Sequence, residues 1–107
     1  MSAAAKSVLD VLVEARQLVL NGWTQNSTRR VTPSGYAYCA AGAVGACVES
    51  TSDARHDAVR VLHEVASERP GFDGWSVATW NDTPGRTLAE VVDLFDDAID
   101  AEEGAWS

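Results

Sequence analysis

The apolar positions of this chain recur at helical spacing from one end to the other. Ala5, Val8, Leu9, Leu12, Ala15 and Val19 fall on one stripe of 3.6-residue period, with Lys6, Asp10, Glu14 and Gln17 on the other side. Asn21-Gly22 reads as the stop of that helix, because glycine enters the left-handed cap conformation without a Cβ penalty. Thr24 to Gly35 carries Asn, Ser, Thr, two arginines, Pro33 and Gly35. It reads as a loop of about a dozen residues, a length at which loops become associated with function. A second helix is expected from near Tyr36 to near Glu49. It is apolar on nearly every side, as a central helix enclosed by others would be. Its Gly42, Gly45 and several alanines would admit close neighbours, and two glycines inside a helix suggest tight packing because they cost helix propensity.

Ser52 or Asp53 can cap a third helix with Ala58, Val59, Leu62, Val65 and Ala66 on its apolar face, ended by Pro70-Gly71 and followed by a loop to Gly74. Ser76 then caps one short turn with Val77 and Trp80 on one side, and Asp82-Thr83-Pro84-Gly85 has turn chemistry. Thr87 and Glu90 form a capping box for a last helix that buries Leu88, Val91, Val92, Phe95 and Ile99. Only Arg30 to Thr32 and Trp75 to Ala78 leave room for a short strand. The expected architecture is all-α, a compact orthogonal bundle of four main helices plus a short helical turn, with residues 1–107 as a single helical domain.

Charge narrows the partners. The 107 residues include 8 basic and 16 acidic ones, a formal net charge of −8, which argues against a nucleic-acid binder with its basic face. It favours solubility and a partner with a basic surface. Lys6 is the only lysine beside seven arginines, and alanine is abundant, a bias like that of a GC-rich genome such as an actinobacterium or its phages. Asp10, Glu14 and Arg16 interrupt any signal-peptide core. No uncharged run reaches the ~20 residues needed to span a bilayer. No membrane association and a cytoplasmic location, host cytoplasm if the chain is phage-encoded, are therefore expected. Cys39 and Cys47 fit that compartment as free thiols. On one helix they would lie roughly 12 Å apart by rise, beyond the ~7 Å within which a disulfide forms.

Three short signatures hold the candidate chemistry: Trp23-Thr24-Gln25, Tyr38-Cys39-Ala40-Ala41-Gly42-Ala43 and Trp80-Asn81-Asp82. Large rings beside uncharged polar heads describe either a polar corner locked into the core or the wall of a small ligand pocket. Trp23, Gln25, Cys39, Trp80, Asn81 and Asp82 are its members, and Asn81 is a candidate partner for Gln25. The core reading is favoured, since buried polar groups mostly serve as structural hydrogen-bond partners. A nucleophile can be written with Cys39 at a helix start, His56 or His63 as base and Asp82 as orienter. No local signature of a cysteine hydrolase surrounds Cys39, and a cysteine among Ala and Gly behaves as a small buried hydrophobe. The spacings of Cys39, Cys47, His56 and His63 lack the close pairs of a structural zinc site. No catalytic residue, metal or cofactor is therefore expected.

Two further groups are candidates for partner binding. Arg29-Arg30 could hold a phosphate or a carboxylate. From Glu90 onward the chain has seven acids and no base, and Asp93, Asp96, Asp97 and Asp100 should lie outside the core of the last helix. Like charges three and four apart repel, so either solubility or a basic partner would account for the run.

The order Trp23-x-Gln25, Cys39-x-x-Gly42-Ala43, Trp80-Asn81-Asp82, then Arg86-Thr87 and Glu90-Val91 with an acidic C-terminal helix, resembles a domain-of-unknown-function family of small actinobacterial and actinophage proteins. The resemblance spans most of the chain. It implies a complete single domain and fits a phage or mobile-element origin, and it brings no activity, substrate or cofactor. The functional expectation is a small acidic, non-enzymatic interaction or regulatory protein, such as a phage accessory factor acting on a host protein. The alternative is a small-molecule-binding or catalytic domain with a pocket near Trp80, Asn81, Asp82, Gln25 and Cys39.

Overall fold

The computed structural model describes residues 7–48, 53–70, 72 and 76–104. In chain order these form α1 (Val8–Asn21), β1 (Arg29–Thr32), β2 (Gly35–Tyr38), α2 (Ala40–Cys47), α3 (Asp53–Ser67), α4 (Val77–Asn81) and α5 (Leu88–Gly104). The molecule is mostly helical, and the all-α expectation is corrected by a two-stranded antiparallel sheet.

α1 opens on a capping box in which Ser7 Oγ accepts from the Asp10 N–H and the Asp10 carboxylate accepts from the Ser7 N–H. It stops at Asn21 as its sequence implies, but not through a left-handed glycine. Gly22 is extended, with φ −179°, and its N–H returns to the carbonyls of Leu18 and Val19. Glycine is needed there for closeness, because a Cβ would stand 2.9 Å from the Tyr36 carbonyl oxygen. Gly22 and Thr24 then bond both sides of the Tyr38 backbone, so the exit from α1 runs beside β2 as an isolated parallel bridge.

Residues expected to be a loop, with room for a short strand at Arg30 to Thr32, followed by the first turns of a helix form a hairpin. The strand is present, and Tyr36 to Tyr38 is its partner rather than helix. Arg29 pairs with Tyr38, Arg30 with Ala37, Val31 with Tyr36 and Thr32 with Gly35, across a two-residue turn at Pro33-Ser34. Gly35 takes φ +134°, which a side-chain-bearing residue rarely adopts. Two tyrosines at alternate positions favour a strand, and the backbone of Tyr38 is held by the α1 exit. Helix formation therefore waits until Cys39, whose Sγ caps α2 by accepting the Gly42 N–H at 3.2 Å.

α1 packs against α2, α3 and α5, and the core they enclose is centred on Leu12, Val44, Leu62, Leu94 and Phe95, all fully buried. The buried stripes are rotated slightly from the expected ones. On α5, Leu94 and Ala98 are fully buried, whereas Val92 and Ile99 are half-buried. On α3, Val61 is buried while Val59 and Val65 are partly exposed. Each of these helices touches more than one neighbour, so the centre of its buried arc falls between two partners rather than on one stripe. α2 is likewise not enclosed on all sides. Ala40, Ala43 and Val44 are buried, but Ala46 is exposed and Ala41, Gly42 and Gly45 are half-open. Ser76 caps α4, and Thr87 with Glu90 caps α5, both as expected. The sequence assignments at Ala5, Lys6, Glu49, Ser52, Gly71, Gly74 and Trp75 lie outside the described residues.

Candidate functional site

The three signatures converge on Asn81. It ends α4, is fully buried, and uses its side chain completely. Its Oδ1 accepts from Trp23 Nε1 at 2.8 Å and from the Ala40 N–H at 3.1 Å. Its Nδ2 donates to the Thr24 carbonyl at 3.1 Å and to Asp82 Oδ1 at 3.0 Å. One amide thus ties together the exit of α1, the first turn of α2 and the end of α4. The Ala40 N–H is among the donors a helix start leaves without an intrahelical partner, and Asn81 supplies the missing acceptor.

The neighbours close the corner further. Gln25 Nε2 donates to the carbonyls of Asn81 and Thr83, both at 3.0 Å, so its partner at Asn81 is backbone rather than side chain. Asp82 Oδ1 also accepts from the Asn26 N–H at 2.8 Å, holding Asn26 at φ +64°. Arg86 lies over the Trp80 ring at 4.0 Å, donates to the Trp80 carbonyl and pairs with Glu90. Trp80 Nε1 is buried with no hydrogen-bond partner among the described residues. A cavity of about 240 Å³ borders Trp80, Arg86, Arg69 and Glu90, but none of Trp23, Gln25, Cys39, Asn81 or Asp82 lines it.

Cys39 is 2% exposed. Burial pushes its thiol up, against the smaller lowering effect of the Gly42 and Ala41 N–H groups, and the Asp82 carboxylate pushes it the same way as burial. The helix start therefore does not yield a thiolate at neutral pH. The other members of the conceivable triad are engaged elsewhere. His56 is exposed on α3, His63 stands edge-on to Phe72 at 5.3 Å, and Asp82 serves Asn26 and Asn81.

A second feature lies between the hairpin and α2. The hairpin and α2 enclose an open groove of about 380 Å³, lined by Thr28, Arg29, Tyr38, Ala41, Gly42, Gly45, Ala46 and Arg55. Arg29 stacks at 4.6 Å on Tyr36, and the rings of Tyr36 and Tyr38 are 6.2 Å apart. A Cβ at Gly42 would fall on the Thr28 carbonyl oxygen, so only glycine allows the hairpin to lie this close to α2.

Residues 3–101 match a family of unknown function, DUF6197. The chain belongs to that family. No curated protein and no solved structure matches it.

In this DUF6197 chain the acidic helix is less free than its sequence implies. Asp96 pairs with Arg16 of α1 at 2.7 Å. Arg69, just beyond α3, pairs with Asp97 at 2.7 Å and Asp93 at 3.4 Å. The carboxylates remain about half exposed, outside the core as expected, but three of the four named aspartates are held by arginines from elsewhere in the fold. Asp100 is exposed. Sequence reading singled out Arg29 and Arg30 but missed Val31, Tyr36 and Arg55 as parts of the same surface. The available signal was the alternation Arg29-x-Val31 and Tyr36-x-Tyr38 around a Pro-Ser-Gly turn, which is hairpin patterning. No described helix is long and apolar enough to cross a membrane.

Proposed function

We propose that this chain is a non-enzymatic interaction protein that acts by docking on another protein, in the manner of an accessory or regulatory factor. A cytoplasmic setting and a phage-encoded role against a host protein are part of the same reading. The observation that carries it is the saturation of the Asn81 corner. All four hydrogen-bonding positions of the Asn81 amide, both Gln25 donors and the engaged oxygen of Asp82 are spent on the fold itself. Polar groups that recognise a ligand must have bonding capacity left to give it, and here the groups best placed for chemistry have little. The raised thiol of Cys39 points the same way, since a nucleophilic cysteine needs its thiolate. The exposed side chains, by contrast, include Tyr36, Val31, Arg29 and Arg30 on one hairpin.

Recovery of the tagged full chain from an actinobacterial lysate, analysed by native mass spectrometry, tests the reading. The expected result is a protein retained in a fixed ratio and competed away by untagged chain. A chain recovered with a stoichiometric small molecule and no protein would overturn it in favour of the ligand-pocket alternative.

A further inference from the structure

The arginines of this chain divide into two groups. Arg16, Arg60, Arg69 and Arg86 each face a carboxylate within 3.5 Å. Arg29, Arg30 and Arg55 form no ion pair among the described residues. In a chain with twice as many acids as bases, an arginine that faces no described carboxylate is the unexpected arrangement. Arg29 on β1 and Arg55 on α3 line the same groove, whereas Arg30 alternates to the other face of the hairpin. Among the described residues, no acidic side chain lines that groove.

The floor of the groove is shaped to present these charges. A Cβ on Gly45 would stand 3.2 Å from Arg55 Nη2, so the glycine lets the guanidinium lie close against α2. Ala41, Gly42 and Ala46 make the rest of the floor small and apolar, and Tyr38 and Arg29 form the hairpin wall. The surface continues outward along the hairpin. Arg29 and Val31 share one face of β1 and pair with Tyr38 and Tyr36 of β2. Val31 is 75% exposed and Tyr36 49% exposed. Guanidinium groups match carboxylates in a bidentate fork, and tyrosine with arginine is the composition of energetically dominant interface residues. A small anion would use the arginines and leave the apolar strip idle, whereas a peptide carrying carboxylates beside apolar side chains uses both.

We propose that the groove between the β1–β2 hairpin and α2 docks an acidic segment of a partner protein, with Arg29 and Arg55 holding its carboxylates and Tyr38, Tyr36 and Val31 covering its apolar side chains. This rests on the interaction-protein reading and names the docking surface and the partner chemistry, which is acidic where overall net charge alone suggested a basic one.

The probe is a displayed library of random eight-residue peptides, selected in parallel on the immobilised full chain and on an Arg29→Glu/Arg55→Glu variant. The most enriched peptide is then titrated into isotope-labelled protein. Enrichment of Asp and Glu next to apolar residues is expected. Backbone amide shifts should centre on Tyr38, Gly42 and Gly45. Affinity should fall tenfold or more with either Arg29→Ala or Arg55→Ala, and should weaken as salt is raised. Both arginine variants should melt like the parent. Gly45→Ala, which displaces Arg55 without removing its charge, should weaken binding several-fold in a fully folded protein.

Peptides without acidic enrichment, shifts centred elsewhere, or equal selection on the reversed variant would overturn the proposal. So would saturable binding of inorganic phosphate with the same shifts and no competition by peptide, which would mark a small-anion site. Self-association abolished by Arg29→Ala would instead make a second copy of the chain the occupant. The two readings fail separately. If lysate capture succeeds equally with the Arg29→Ala/Arg55→Ala variant, the chain is an interaction protein that docks through another face. If the parent captures nothing, the interaction reading itself falls.

Discussion

Asn81 shows how one side chain can organise a polar interior. Its amide accepts from Trp23 and Ala40 and donates to Thr24 and Asp82, across sequence separations of up to 58 residues. Asn81→Leu nearly preserves volume but strands the Trp23 indole N–H, the Ala40 N–H and the Thr24 carbonyl. Each buried polar group left without a partner costs about 1–3 kcal/mol, so urea denaturation should show a loss of at least ~3 kcal/mol. A loss under ~1 kcal/mol would mean that water takes over these bonds. Cys39 supplies a second residue-scale expectation. Its folded value lies above its ordinary one, so its contribution to stability is complete below the ordinary thiol range and is lost as pH rises through the folded value. The melting temperature of the parent should therefore fall more steeply above about pH 8.5 than that of Cys39→Ala. In a Cys47→Ala background the native thiol should react slowly with a labelling reagent at neutral pH. Rapid labelling would restore the nucleophile reading. The members of this corner were legible in the sequence because rings beside amides are unusual neighbours. Their partners were not, since no local pattern marks a bond to a residue more than fifty positions away.

At the scale of elements, helix positions were legible wherever a cap and a stripe agreed. Ser76 before α4 and the Thr87–Glu90 box before α5 are local chemistry, and local chemistry survives into the fold. The hairpin was hidden for two physical reasons. Tyr36 to Val48 is one continuous uncharged run, so hydrophobicity alone does not mark where the strand ends and the helix begins. The cap between them is a cysteine, which lacks the usual sequence signature of an N-cap. What holds the hairpin against α2 is Gly42, and this can be separated from helix propensity. Alanine is favoured over glycine in a helix interior by about 1 kcal/mol, yet at Gly42 its Cβ would displace the Thr28 carbonyl. Gly42→Ala should therefore be destabilising by ~1–3 kcal/mol through overpacking. Gly45→Ala meets only the end of the flexible Arg55 side chain and should be neutral or stabilising by up to ~1 kcal/mol. Chemical denaturation of the two variants side by side checks this. Equal effects would mean that the hairpin moves away from α2 freely.

For the whole molecule, the question is whether net charge or local pairing governs the acidic helix. At −8 the chain repels itself, and on that basis alone removing negative charge should stabilise it. Replacing Asp93, Asp96 and Asp97 by lysine would bring the net charge to −2, since each exchange adds two positive units. The structure argues for the opposite result. Those three aspartates face Arg16 and Arg69, so each lysine would replace an attraction by a repulsion at a contact now 2.7–3.4 Å long. Half-exposed pairs of this kind are each worth no more than ~1 kcal/mol, with reversal costing a similar further amount. Three together should lower stability by about 1–3 kcal/mol, a loss visible as a reduced melting temperature. The neutral triple Asp→Asn variant should lose less, because it removes the attraction without adding repulsion. Added salt should recover part of the deficit of the lysine variant, since charges half open to water are screened over about 8 Å at physiological ionic strength. A lysine variant more stable than the parent would show that self-repulsion dominates and that the carboxylates are held only loosely by their arginines. The acidic face would then again be free to meet a basic partner, and the arginine groove would lose its claim to be the docking surface singled out by charge.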